Sequence, residues 1–194
     1  MVRAIASAGR ALTGVGAWLG RLAGWLVVPI VAAVLTAVIG TMLRLSELVA
    51  WSATLPLLGD QLTITGVVEL QWHLFAVMIL FGGAYAIRKN GHVRVDFIYD
   101  RLTQRGRALV DTVGHMVFLI PFCLLIAWLS LDFVELAYRS GEESDYGGLT
   151  DRYLIKAMVP IGFVMLALSA FGQVLTNIAR LIDPAEGEDD TDDR

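Results

Sequence analysis

Residues Leu22 to Leu43 read LAGWLVVPIVAAVLTAVIGTML, 22 residues without a single Asp, Glu, Lys or Arg. At about 1.5 Å of helix per residue, such a stretch crosses a hydrocarbon core of about 30 Å. Three more windows share the property: Leu70 to Ile87, Thr112 to Leu131 and Ala157 to Ala179. Together the windows hold 83 of the 194 residues, so all 15 basic and all 19 acidic side chains crowd into the remainder, at a density typical of water-facing surface. The fold class that follows is an all-α membrane protein with four transmembrane helices. A water-soluble globular domain, a secreted disulfide scaffold and a nucleic-acid binder are excluded. Cys123, the only cysteine, lies in the third window and reads as a small apolar packing residue.

Orientation comes from the basic residues between the windows. Arg3, Arg10 and Arg21 precede the first, and the segment from Arg88 to Asp111 carries six more, whereas Arg44 to Glu69 has one and Asp132 to Lys156 has three. With the two in the tail, alternate segments hold eleven basic residues against four. The positive-inside rule then puts both termini and the 88–111 segment in the cytoplasm. Residues 1–21 form a basic leader. Its three arginines, 7 and 11 residues apart, share one side of a helical wheel, with Ile5, Ala8, Leu12, Val15 and Leu19 opposite. That pattern predicts an amphipathic helix lying along the membrane surface. The 22-residue apolar window exceeds a signal-peptide core, so it reads as an uncleaved anchor. The division is thus 1–21 leader, 22–182 four-span domain and 183–194 acidic, disordered tail.

Small residues recur at helical spacing, as in Ala32, Thr36 and Gly40, in Gly82, Gly83 and Ala84, and in Gly162, Ser169 and Gly172. They predict close helix packing and a partner. Pro29 and Pro121 are expected to kink their spans, and Pro160 to fall in the first turn of the fourth. No span carries a central ionisable charge, which argues against a proton relay, an ion pathway or a charged-substrate site within this chain. Polar groups sit at the edges: Glu69, Gln71 and His73 at one end, with Glu69 and His73 spaced to pair, and Gln173 and Asn177 at another. Haem ligation by His73 and His115 would need one iron to bridge about 20 Å of depth. Phosphate-binding glycine loops, nucleophile triads and zinc motifs are missing; Gly14, Gly16 and Gly20 make only an incomplete glycine pattern. Neither an enzyme nor a resident cofactor or metal is expected.

Two connecting segments carry information. Arg88-Lys89-Asn90-Gly91-His92-Val93-Arg94-Val95-Asp96 combines a turn signal with alternating charge beside the inner leaflet, where its basic residues meet anionic lipid. Ser140 to Leu149 (SGEESDYGGL) is acidic and turn-forming, and Glu142, Glu143 and Asp145 offer either solvated loop or a docking surface.

At these segments the chain resembles the small membrane subunit (DctQ-like) of tripartite ATP-independent periplasmic (TRAP) transporters. Matching positions are Glu69, Trp72, Phe75, Gly91, His92, Val93, Arg94, Val95 and Asp96 in the run from Glu69 to Leu102. A second set, Gly147, Gly148, Leu149, Arg152, Lys156, Pro160 and Gly162, lies between Glu143 and Leu166. The resemblance implies a non-enzymatic subunit of the bacterial inner membrane that braces a large, sodium-coupled transport subunit (M-type). That subunit would receive an organic acid from a periplasmic solute-binding protein. Glu69, Trp72, Arg88, Gly91 to Arg94, Asp96, Gly147 to Leu149, Arg152, Lys156 and Pro160 would then be structural or partner-contact residues. The competing class is a membrane anchor for a respiratory enzyme.

Overall fold

The computed structural model describes residues 2–89 and 101–183. Among these described residues six helices and one hairpin follow in order: α1 (Val2–Gly24), α2 (Val27–Met42), β1 (Glu47–Leu55), β2 (Gly59–Thr63), α3 (Ile64–Arg88), α4 (Gln104–Gly114), α5 (Ile120–Ser140) and α6 (Tyr153–Ile182). A π-helical turn, His115–Leu119, joins α4 to α5. Four stretches are long and apolar enough to span a membrane: Val2–Met42, Ile64–Arg88, Arg105–Ser140 and Tyr153–Ile182. The four expected spans are therefore present; the second, third and fourth extend beyond their charge-free windows at both ends, whereas the helix of the first stops at Met42, just before Arg44 takes a left-handed backbone.

The prolines act differently from expectation. Pro29 lies in the first turn of α2, and the chain breaks before it at Trp25–Leu26, where N–H groups reach back to Leu22 and Ala23 at 3.0 Å. A proline ring clashes with the carbonyl four residues earlier, so the helix stops there rather than bending. Pro121 follows the π turn, which absorbs the lost hydrogen bond by widening one turn. Pro160 is interior to α6, because that helix starts at Tyr153, before the apolar window.

The hairpin was not anticipated from the sequence. Its residues show no clean alternation, and the strands are irregularly paired, with register shifts between Glu47 and Val49 and between Ala50 and Leu55. Arg44, at φ 57°, ends α2 in the left-handed region while Leu45 N–H closes on the Gly40 carbonyl at 2.9 Å. Leu57 and Gly59, both at positive φ, turn the hairpin, and Trp51 Nε1 donates to the Gly59 carbonyl at 2.8 Å.

The chain forms two compact units. The hairpin unit comprises 22–80 and 127–162; the leader unit comprises the described parts of 1–21, 81–126 and 163–194. In the leader unit α1 is a docked helix. Its buried face, Ala6, Gly9, Thr13, Gly16, Ala17 and Gly20, is made of small residues. At ~100° per residue this face lies about a quarter turn from both the arginine side and the Ile5/Leu12/Leu19 side. A Cβ at Gly9 would stand 2.7 Å from the Gly172 carbonyl oxygen, and one at Gly20 would stand 2.7 Å from that of Phe81, so α1 touches α6 and α3 backbone to backbone. Gly16 faces Ser169 and Ala84, which makes the incomplete glycine pattern a packing feature. In the hairpin unit Gly162 meets Leu80 and Gly40 meets Ile64, whereas Ala32 and Thr36 stay outside the packing.

Candidate functional site

The residues that the sequence singled out at one end of the second span converge within the hairpin unit. Thr63 ends β2 and caps α3: its Oγ1 accepts the Gly66 N–H at 3.0 Å and donates to the Gly147 carbonyl at 3.0 Å. One turn on, the Glu69 carboxylate faces the α5–α6 loop. Oε1 accepts the Ser144 hydroxyl at 2.5 Å and Oε2 accepts the Leu149 N–H at 2.9 Å. Hydrogen bonds to an ionised carboxylate are the stronger kind, and these join residues 75 and 80 positions apart.

Gly147 and Gly148 have separate reasons to be glycine. Gly147 takes φ +66°, a conformation that side chains disfavour. Gly148 lies directly against the carboxylate, where a Cβ would come 2.6 Å from Glu69 Cδ. Leu149 is 1% exposed, and its carbonyl accepts the Ser144 N–H at 3.1 Å, closing the loop on itself. Thr150 N–H then reaches the Leu57 carbonyl at 3.0 Å, tying the loop to the hairpin turn.

A second cluster fixes the start of α6. Lys156 Nζ binds Glu142 Oε2 at 2.5 Å and lies 3.9 Å from the centre of the Phe133 ring, with Arg152 Nε 3.9 Å from the other Glu142 oxygen. Tyr138 and Tyr153 pack edge to face, 5.1 Å between centroids. Glu142 is thereby spent on structure. Of the three acids expected at a docking surface, Glu143 and Asp145 are the exposed ones, beside Tyr146 at 84% exposure.

One expectation needs correction. Glu69 and His73 do not pair through their side chains: His73 Nδ1 donates to the Glu69 backbone carbonyl at 2.7 Å, leaving the carboxylate free for the loop. His115 likewise bonds its own turn, at the Asp111 carbonyl, 2.6 Å away. Trp72 is 67% exposed, as an interfacial anchor requires. Arg88 ends α3 with its guanidinium 3.6 Å from where a Cβ of Gly14 would stand. Gly91, His92, Val93, Arg94 and Asp96 lie outside the described residues, as does the acidic tail from 184. The sequence missed Thr63 and Ser144; an ST-x-x pattern before α3 is the only signal that could have pointed to the former.

Chemically, the Glu69 carboxylate joins the start of α3 to the α5–α6 loop through two hydrogen bonds. Among the described residues no group of three His, Cys, Asp or Glu side chains is placed to hold a metal ion. The model of the family "Tripartite ATP-independent periplasmic transporters, DctQ component" matches residues 57–180, a stretch that contains every residue of the two clusters. The ectoine TRAP transporter small permease protein TeaB of Halomonas elongata is 30% identical over 123 residues, covering 62% of this chain and 61% of its own length. The C4-dicarboxylate TRAP transporter small permease protein DctQ of Pseudomonas aeruginosa is 27% identical over 136 residues, 66% and 63% of the two chains. The chain thus spans about three fifths of the length of the curated relatives it matches. No solved structure matches it.

Proposed function

The chain belongs to the DctQ-component family of TRAP transporters, and from that premise we propose that it is the scaffold of such a system in the bacterial inner membrane. It braces a large transport subunit while that subunit moves an organic acid with the sodium gradient. Both termini and the 88–111 segment face the cytoplasm, and Arg88 to Asp96 make the inner-leaflet contact. The exposed Glu143, Asp145 and Tyr146 edge faces the periplasmic binding protein.

One observation carries this reading: in three of the four spans only 11% of the apolar window is buried inside the chain. A self-sufficient transporter encloses a pathway, and its polar groups line it. These spans instead carry no charge at their centres and keep most of their residues partly or wholly exposed, as a subunit does when lipid and partner helices complete its packing. The carboxylate clasp supports the same role, since a brace has to resist the motion of what it holds. A redox-anchor role finds no support among the relatives, which are both permeases.

Affinity purification of this chain from membranes carrying the complete system tests the proposal. A large membrane subunit is expected in stoichiometric amount, with the binding protein captured more weakly. Recovery of the chain alone, with uptake of organic acids unaffected by its deletion, would overturn it.

A further inference from the structure

Arg88, the last residue of α3, carries its guanidinium onto α1. Its Nη1 lies 3.6 Å from where a Cβ of Gly14 would stand. At about 100° per residue Gly14 is within about 40° of Arg3, Arg10 and Arg21 on the helical wheel, so the α3 cation joins the leader's own row of arginines. It divides the 11-residue step from Arg10 to Arg21 into 4 and 7. All four arginines are exposed, and the row runs for about 27 Å at 1.5 Å per residue. On the flank of this row away from the docked small-residue face stand Val15, Trp18 and Leu22, 53, 61 and 47% exposed. Around its circumference α1 therefore presents a docked face, a cationic row and an exposed apolar strip.

A cationic row beside an apolar strip selects an occupant that is negative and apolar at once. An anionic phospholipid is both within one molecule. Its phosphate oxygens accept from guanidinium groups, its acyl chains cover aliphatic side chains at the headgroup boundary, and an indole ring such as that of Trp18 sits at headgroup level. The chain's own acidic segment 184–194, PAEGEDDTDDR, matches only the charge, since Pro184 and Ala185 are its sole apolar residues. Clustered basic side chains next to a leaflet also favour anionic over neutral lipid, because each adds its own attraction to the surface charge.

We propose that α1, completed by Arg88 of α3, holds the headgroup of an anionic phospholipid, with the phosphate on the cationic row beside Arg88 and the acyl chains along Val15, Trp18 and Leu22. The inference rests on the orientation proposed above, which makes this a lipid of the inner leaflet. It also gives Gly14 a role, since the missing side chain leaves room for Arg88 to lie on α1.

The test uses the complete complex in phosphatidylcholine vesicles that carry a minor fraction of phosphatidylglycerol with a photoactivatable acyl chain. Adducts are mapped by mass spectrometry on the tryptic peptide 11–21, which contains Val15 and Trp18. Trp128 on α5, 73% exposed, reports general access to lipid. Relative to Trp128, the 11–21 peptide is expected to be labelled several times more by this probe than by photoactivatable phosphatidylcholine. Arg88→Gln should lower that preference about fivefold, as the loss of one cation near a leaflet implies, and Arg88→Lys should retain most of it. Equal labelling by the two probes, or an Arg88→Gln variant with its preference intact, would overturn the assignment. So would labelling that appears only after removal of residues 184–194, which would make that segment the occupant, or a peptide 11–21 that crosslinks to protein alone. Both vesicle leaflets carry the probe, so orientation is read separately from a reporter fused to the N-terminus in cells. An external reporter sinks the orientation whatever the lipid result; an internal reporter without headgroup preference sinks the lipid site alone.

Discussion

The hairpin unit and the leader unit solve one problem, joining distant helices, by opposite chemistry. In the hairpin unit a carboxylate reaches across 75 to 80 residues of sequence to an O–H and an N–H, and an ion pair anchors the next helix. In the leader unit the joint between α1 and α6 is a seam of small residues. Gly9 and Gly172 let two backbones touch, and the hydroxyls of Thr13 and Thr176 turn back to carbonyls of their own helices at 3.0 Å. Loops and strand edges expose N–H groups that a carboxylate can collect, whereas helix flanks have theirs already paired. Between helices, therefore, contact distance remains as the variable, and glycine controls it.

The contrast breaks most visibly at Glu69. Glu69→Leu should leave the Ser144 hydroxyl and the Leu149 amide without their acceptor, a cost of about 3 kcal/mol for two charge-assisted bonds. Hydrogen exchange at Leu149 should then accelerate by about two orders of magnitude, at 1.4 kcal/mol per factor of ten, while α1 amides keep their rate. Gly9→Leu is the reciprocal test. Its side chain would enter the space of the Gly172 carbonyl and the Thr176 hydroxyl, and overpacking of that kind costs about 1–3 kcal/mol. Trypsin cleavage at Arg10 should quicken, with Leu149 exchange unaltered. The smallest effect is expected at Glu135. Its i,i+4 bridge to Arg139 joins side chains that are 55% and 74% exposed, so Glu135→Gln should change stability by no more than about 0.5 kcal/mol in a denaturant titration. A large loss there would mean that surface charge, not the half-buried clasp, holds this unit together.

Much of the architecture was legible because lipid imposes a length and forbids charge, and both rules act on consecutive residues. Four spans, the exposed Trp72 and the small-residue contacts at Gly162 and Gly172 follow from that. The site was legible only as membership: Glu69, Gly147, Gly148 and Leu149 could be marked through resemblance, but nothing in their spacing says that they touch. Local spacing suggested that Glu69 would pair with His73, and it failed because a backbone carbonyl one turn away is always within a histidine's reach. Glu142 shows a related limit. Its acidity is visible in the sequence, and its engagement by Lys156 depends on how α6 starts.

By itself, then, the sequence determined what the bilayer reads residue by residue: which segments cross, and that no charge lies at their centres. Only the tertiary structure decided what each polar group is for. It turned Glu69 from an edge residue spaced to pair with His73 into a clasp, and the leader's small face into a docking seam. The physical reason is that hydrophobic transfer is nearly additive along a helix, whereas a hydrogen bond exists only where two remote groups meet at the right distance and angle.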